Sequence, residues 1–292
     1  MTQAAKGESK VLLGNVETAY LDVGRGEPVV LLHGFPLNRD MWQAQVAALS
    51  PRFRVIAPDF RGHGGSSVLS PVAAADGDVH HMETLAEDVR GLLDHLRLEQ
   101  VSLVGFSMGG YVAFAFYRRY RARVKALVLA DTRPQADSPE ARQGREATVR
   151  TALKEGTSAV AQTLAGRMLA PETLQGRPQL AEQVRGMMTS TPLIGWMGDL
   201  RGLARRSDST ATLAIITCPT LILVGQKDAL TPPADSQLMA QHIKGAKLVE
   251  VPSAGHLAPL EQPEAFNKAL LEFLDSVLQP TRAPQRHRRA RR

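Results

Sequence analysis

Hydrophobic and polar positions follow two rhythms along this 292-residue chain. Short apolar runs at 28–32, 53–57, 101–104, 124–129, 220–224 and 247–251 read as strands. Several are unbroken in Val, Ile and Leu, as expected of strands covered on both faces. Between them the spacing turns helical. Leu85, Val89, Leu92, Leu93 and Leu96 mark one amphipathic helix, and Ala265, Leu270, Leu271, Phe273, Leu274 and Val277 mark a terminal one begun near Pro263. Residues 10–23 read as a hairpin before the first parallel strand. The alternation predicts an α/β fold with a mostly parallel central sheet and helices on both faces.

One stretch breaks the rhythm. From 133 to 214 no strand is visible, only polar helical patterns punctuated by Pro171, Pro178 and Pro192. The expected organisation is therefore an α/β core over 1–132 and 215–279 and a helical cap over 133–214. A basic tail, expected to be disordered, follows over 280–292.

That tail changes the reading of the charge. The formal net charge is +6, which invites a nucleic-acid partner. The tail alone holds six of the 35 basic residues and none of the 29 acidic ones, so the body is neutral. A basic tail attracts polyanions weakly and without specificity, and no specific nucleic-acid partner is expected. No apolar run approaches the roughly 20 residues needed to cross a bilayer, and no secretory leader is visible. The single cysteine, Cys218, reads as a small buried hydrophobe, and a lone thiol suits a reducing cytoplasm. Nothing in the pattern sets an oligomeric state.

The chemistry concentrates where the glycines do. Gly105-Phe106-Ser107-Met108-Gly109 follows a predicted strand and opens a predicted helix running to about Arg119. In that setting G-x-S-x-G reads as a nucleophile elbow, a turn so tight that the central serine is pushed into the cleft. A serine hydroxyl needs a base, and the base an orienting acid. Clefts in parallel sheets open at the C-terminal ends of strands. There the chain offers Asp228 after the 220–224 strand and His256 after the 247–251 strand. Asp131, also just past a strand, competes with Asp228 for the acid; its other reading is an N-cap or hinge of the helical insertion. Asp228 is favoured by its Gly-x-x-Asp turn just before the base-bearing unit. His80 and His81, with Asp76 and Asp78 nearby, read as a polar loop rather than a metal cluster, because adjacent residues rarely converge on one ion. His33-Gly34-Phe35-Pro36 ends the first parallel strand, which places the Phe35 N–H beside that of Met108 as an oxyanion hole.

Together "LLHGFPL" (31–37), "APDFRGHGGSS" (57–67), "GFSMGG" (105–110), "VGQKDALTP" (224–232) and "AGHLAPLEQPEAF" (254–266) resemble the α/β-hydrolase superfamily. The likeness covers residues 10 to 278, and within the superfamily it is similar to the compact bacterial esterase and enol-lactonase-like branch. It implies Ser107 as nucleophile, His256 as base and Asp228 as acid, with Phe35 and Met108 forming the oxyanion hole. The expected substrate is a small-molecule ester or lactone, and no metal or organic cofactor is required. Met168, Leu193, Trp196 and Met197 are candidates to line the cleft from the cap, or to form the cap's own core. Two alternatives use the same triad, an enol-lactone hydrolase and a cofactor-free perhydrolase or haloperoxidase. A third makes non-catalytic use of the fold.

Overall fold

Eight strands form one sheet in the computed structural model, which describes residues 7–67 and 79–278. The spatial order is β1-β2-β4-β3-β5-β6-β7-β8, where β1 is Glu8–Leu13, β2 Val16–Val23, β3 Pro28–Leu32 and β4 Arg54–Pro58. The remaining strands are β5 (Val101–Phe106), β6 (Val124–Ala130), β7 (Thr220–Gly225) and β8 (Lys247–Val251). β1 and β2 form the expected hairpin, and β2 runs antiparallel to β4; every later neighbour is parallel. β5 and β7 are buried at every position, which is why they read as continuous apolar runs.

The strand order decides where the helices go. The crossover from β3 to β4, carrying α1 (Gln43–Leu49), runs one way along the sheet. The crossovers from β4 to β5 through α2 (Met82–His95), and from β5 to β6 through α3 (Met108–Tyr120), run the other way. Right-handed crossovers therefore put α1 on one face and α2 and α3 on the opposite face. The reversal lies between β3 and β5, and in open α/β sheets the ligand crevice opens at that point, outside the carboxyl ends of the strands. The loop after β3 carries His33 to Pro36, and the turn after β5 carries Ser107.

Between β6 and β7 the described chain is helical: α4 (Pro139–Glu155), α5 (Thr157–Met168), α6 (Pro171–Gly176), α7 (Pro178–Ser190), α8 (Leu193–Ala204) and α9 (Thr210–Leu213). After β7 come α10 (Pro233–His242), β8, the single turn α11 (Ala258–Glu261) and α12 (Pro263–Leu278). No helix among the described residues is long and apolar enough to cross a membrane. Cys218 is partly buried against the core, and burial pushes its thiol up. The basic tail lies outside the described residues, as do Asp76 and Asp78 of the expected polar loop.

His80 departs from that loop reading. It is fully buried, and its Nδ1 lies 2.7 Å from Asp199 Oδ1 on α8, while His63 Nε2 lies 3.0 Å from Asp199 Oδ2. Two histidines from the core loops thus converge on one buried carboxylate of the helical segment. The approach is close because Gly195, Gly198 and Gly202 present a bare face of α8. A Cβ on Gly202 would overlap the His80 carbonyl oxygen, and one on Gly198 would sit 2.7 Å from the His80 ring. Burial alone would raise the Asp199 carboxyl, but the charges and hydrogen bonds of His63 and His80 outweigh it and hold the group low.

Candidate active site

Ser107 sits between the end of β5 and the first residue of α3, with φ 50° and ψ −112°, a conformation unfavourable for any side chain-bearing residue. The flanking glycines make the turn possible. A Cβ on Gly105 would meet the backbone of Gly109 and Gly110, and one on Gly109 would overlap the Leu32 carbonyl oxygen of β3. The turn is further pinned by Ser107 N–H donating to Ala130 O (2.9 Å) and Thr132 Oγ1 donating to Ser107 O (2.8 Å).

His256 follows β8, and its Nε2 lies 2.9 Å from Ser107 Oγ. Its Nδ1 lies 2.8 Å from Asp228 Oδ2. Since Asp228 can only accept, Nδ1 carries the proton, Nε2 is the acceptor, and the Ser107 hydroxyl donates to it. The carboxylate of Asp228 is fully engaged. Oδ1 accepts the N–H groups of Leu230 (2.8 Å) and Thr231 (2.9 Å), and Oδ2 also accepts Thr231 Oγ1 (2.6 Å). Burial would push Asp228 up, but His256 and the Thr231 donors outweigh it and hold the carboxyl below its ordinary range.

Asp131 does not reach His256. It is fully buried at the end of β6 with φ 44°, and its Oδ1 accepts the Gly225 N–H at 2.8 Å, tying β6 to β7. It does not cap the helical segment, whose first helix is capped by Ser138. Burial, and then the nearby charge of Asp228, push its carboxyl well up.

Phe35 and Met108 flank the serine, and among the described residues neither backbone N–H has a hydrogen-bond partner. Met108 heads α3, where helical geometry leaves the N–H free to point at a ligand. His33 steadies this corner: it is fully buried, and its Nε2 accepts the Phe60 N–H at 3.0 Å. Burial drives its imidazole down to about 3.

A cavity of about 420 Å³ opens over Ser107 and His256. Phe35, Met108 and Tyr111 form its floor side, and Val160, Leu164 and Met168 of α5 face them. Of the four residues expected to line the cleft from the helical segment, Met168 does so. Leu193, Trp196 and Met197 are absent from the cavity wall. Trp196 is fully buried, with Nε1 donating to Met188 O (3.0 Å) and its ring edge-on to Phe35 at 5.1 Å, so it supports the floor from behind. Leu193 and Met197 are half-buried, and Met197 packs on the core.

A buried carboxylate that sequence reasoning missed joins these parts. Glu261 Oε1 accepts the N–H groups of Gly255 (2.9 Å) and Leu257 (3.3 Å), on either side of His256. Its Oε2 accepts Ala170 N–H (2.8 Å) and Thr173 Oγ1 (2.6 Å) from the helical segment. His256 N–H itself donates to Met168 O at 2.8 Å. The signal lay in "GHLAPLEQP", where a glutamate five residues past the histidine opens no exposed helix face.

A family model described as the alpha/beta hydrolase fold matches residues 27–263. The chain belongs to that family. Among the relatives of this α/β hydrolase is 3-oxoadipate enol-lactonase 2 of Acinetobacter baylyi, 31% identical over 258 residues, which are 88% of this chain and 92% of that protein. Among solved structures, a thermophilic esterase from Thermogutta terrifontis, with malate bound, superposes with a TM-score of 0.87 at 42% identity. The match covers 93% of this chain and 99% of that one. The enol-lactonase from Burkholderia xenovorans LB400 gives 0.83 at 29% identity, covering 91% and 99%.

Proposed function

We propose that this α/β hydrolase is a serine carboxylic-ester hydrolase acting on small-molecule esters or lactones through an acyl-enzyme. The observation that carries the reading is the continuous relay from Ser107 Oγ through His256 to a fully hydrogen-bonded Asp228. Ser107 Oγ attacks the acyl carbonyl while His256 Nε2 takes its proton. The developing oxyanion is received by the N–H groups of Phe35 and Met108. His256 then returns the proton to the leaving alkoxide, which departs as an alcohol (in a lactone, it stays on the acyl chain and leaves with it as a hydroxy acid). Water, deprotonated by the same imidazole, adds to the acyl group and releases the carboxylic acid and free Ser107.

Asp228 holds the Nδ1–H tautomer and stabilises the imidazolium formed in each half-reaction. The helical segment 133–214 serves as the cap, with α5 forming one wall of the cavity. The lone cysteine suits a reducing compartment, and we place the enzyme in the cytoplasm. The esterase and enol-lactonase among its relatives support the reaction class. The test is a panel of 4-nitrophenyl esters and lactones run with wild type and Ser107→Ala. Turnover by wild type with a loss of about 10⁴-fold or more in kcat on substitution is expected. A folded Ser107→Ala variant keeping a tenth of the activity would remove Ser107 from its role.

A further inference from the structure

The wall of the cavity carries more positive charge than its apolar floor requires. Three arginines line it, Arg133, Arg145 and Arg167, against one carboxylate, Asp137. Asp137 is already occupied. Arg145 Nε donates to its Oδ2 at 2.6 Å, and the buried Arg206 donates through Nη1 to its Oδ1 at 2.6 Å. Arg133 is left at the margin of this pair, with Nη2 3.5 Å from Asp137 Oδ1. Its Nε is buried without a hydrogen-bond partner among the described residues. Asp235 feels the charge of Arg133, yet its carboxylate takes its hydrogen bond from Gln135 instead. Arg167, exposed on α5 at the rim, makes no ion pair or hydrogen bond among the described residues.

A guanidinium N–H buried without an acceptor is costly, and a concave wall with surplus positive charge concentrates anions. The planar fork of arginine fits a carboxylate in two parallel hydrogen bonds. None of these arginines is within hydrogen-bonding reach of the Ser107–His256 pair, so their charge serves something other than the reacting centre.

We infer that the substrate of this site carries a free carboxylate besides its scissile ester or lactone bond, and that Arg167 and Arg133 receive it. The inference rests on the ester-hydrolase reading and adds to it the charge of the substrate. Hydrolysis then yields two carboxylates, the one released at Ser107 and the one already bound. Both are on one product when the free carboxylate lies on the acyl side or the substrate is a lactone, and one is on each product when it lies on the alcohol side. A cavity of about 420 Å³ restricts the substrate to a short chain between the two groups.

Two matched pairs of substrates test this, one for each side of the scissile bond. On the acyl side, 4-nitrophenyl hydrogen glutarate is compared with its neutral primary amide; on the alcohol side, acetoxyacetate is compared with acetoxyacetamide. In at least one pair, wild-type kcat/KM is expected to favour the anion by about tenfold or more, mainly through KM. Arg167→Glu should reverse that preference, and Arg133→Gln should cut the anion-to-neutral ratio several-fold. Arg121→Gln, at the far end of α3 from Ser107, should leave the ratio as it is. Neutral substrates cleaved as well as anions in both pairs would overturn the inference while leaving the hydrolase reading intact. No turnover of any of the four would overturn both.

Discussion

Asp228 and Asp131 each follow a parallel strand and each is buried, yet their surroundings shift their carboxyls in opposite directions. Asp228 has four donors around two oxygens, and its carboxyl is held below the usual range; Asp131 has one donor, Gly225 N–H, and burial pushes its carboxyl well up. An asparagine at 131 still offers its oxygen to Gly225. An asparagine at 228 lets His256 take the other tautomer, with Nε2 protonated and unable to accept from Ser107. Asp228→Asn is therefore expected to lose about 10⁴-fold in kcat, and Asp131→Asn less than tenfold, measured on one ester. Equal losses, or the reverse order, would show that the acid has been misassigned. The chain order Ser107, Asp228, His256 was legible because the elbow and the two turns sit at strand ends. Thr231 was not, since a threonine three residues past an aspartate carries no mark that its hydroxyl bonds to that aspartate's oxygen. Nor could apolar character tell that Trp196 backs the floor of the cavity rather than lining it, because both roles require a large buried ring.

At the scale of elements, the strands were visible to within a residue or two, and α2, α3 and α12 were visible through their apolar residues, whereas α1 and α10 were not marked. The helical segment was visible only as a gap in that pattern, and its attachment is polar. α8 docks through three glycines and Asp199, whose partners His63 and His80 lie more than a hundred residues away in the chain. Such contacts leave no local period to read. Gly202→Ala should force α8 away from the His80 carbonyl and lower stability by about 1–3 kcal/mol. Gly186→Ala, in the middle of α7 with nothing near its added methyl, should instead raise stability by roughly 0.5–1 kcal/mol. Thermal unfolding of the two variants checks both signs, and a neutral Gly202→Ala would mean that α8 does not depend on that close approach.

Across the whole molecule, burial of His33 links stability to pH. In the native state its imidazole stays neutral down to about 3, whereas in the unfolded chain it takes a proton near 6.5. A depressed native value means the contribution is fully present above about pH 6.5 and is lost as pH falls toward 3, where the unfolded chain binds the extra proton. Acidifying from about pH 7 to about pH 5 should cost the wild type about 2 kcal/mol more than it costs His33→Asn. Taking the difference cancels the carboxyls that burial pushes up, Asp131 above all, whose effect runs the opposite way with pH. Parallel denaturation curves at both pH values would show that His33 is not held neutral. The proposed function turns on covalent chemistry at Ser107. Its most direct measurement is mass spectrometry of the protein quenched in acid during turnover of 4-nitrophenyl acetate, followed by peptide mapping. One acetyl group per chain is expected, confined to the peptide that contains Ser107 and absent from Ser107→Ala. A turning-over enzyme with no acetyl group on that peptide, or with one on a different residue, would contradict it.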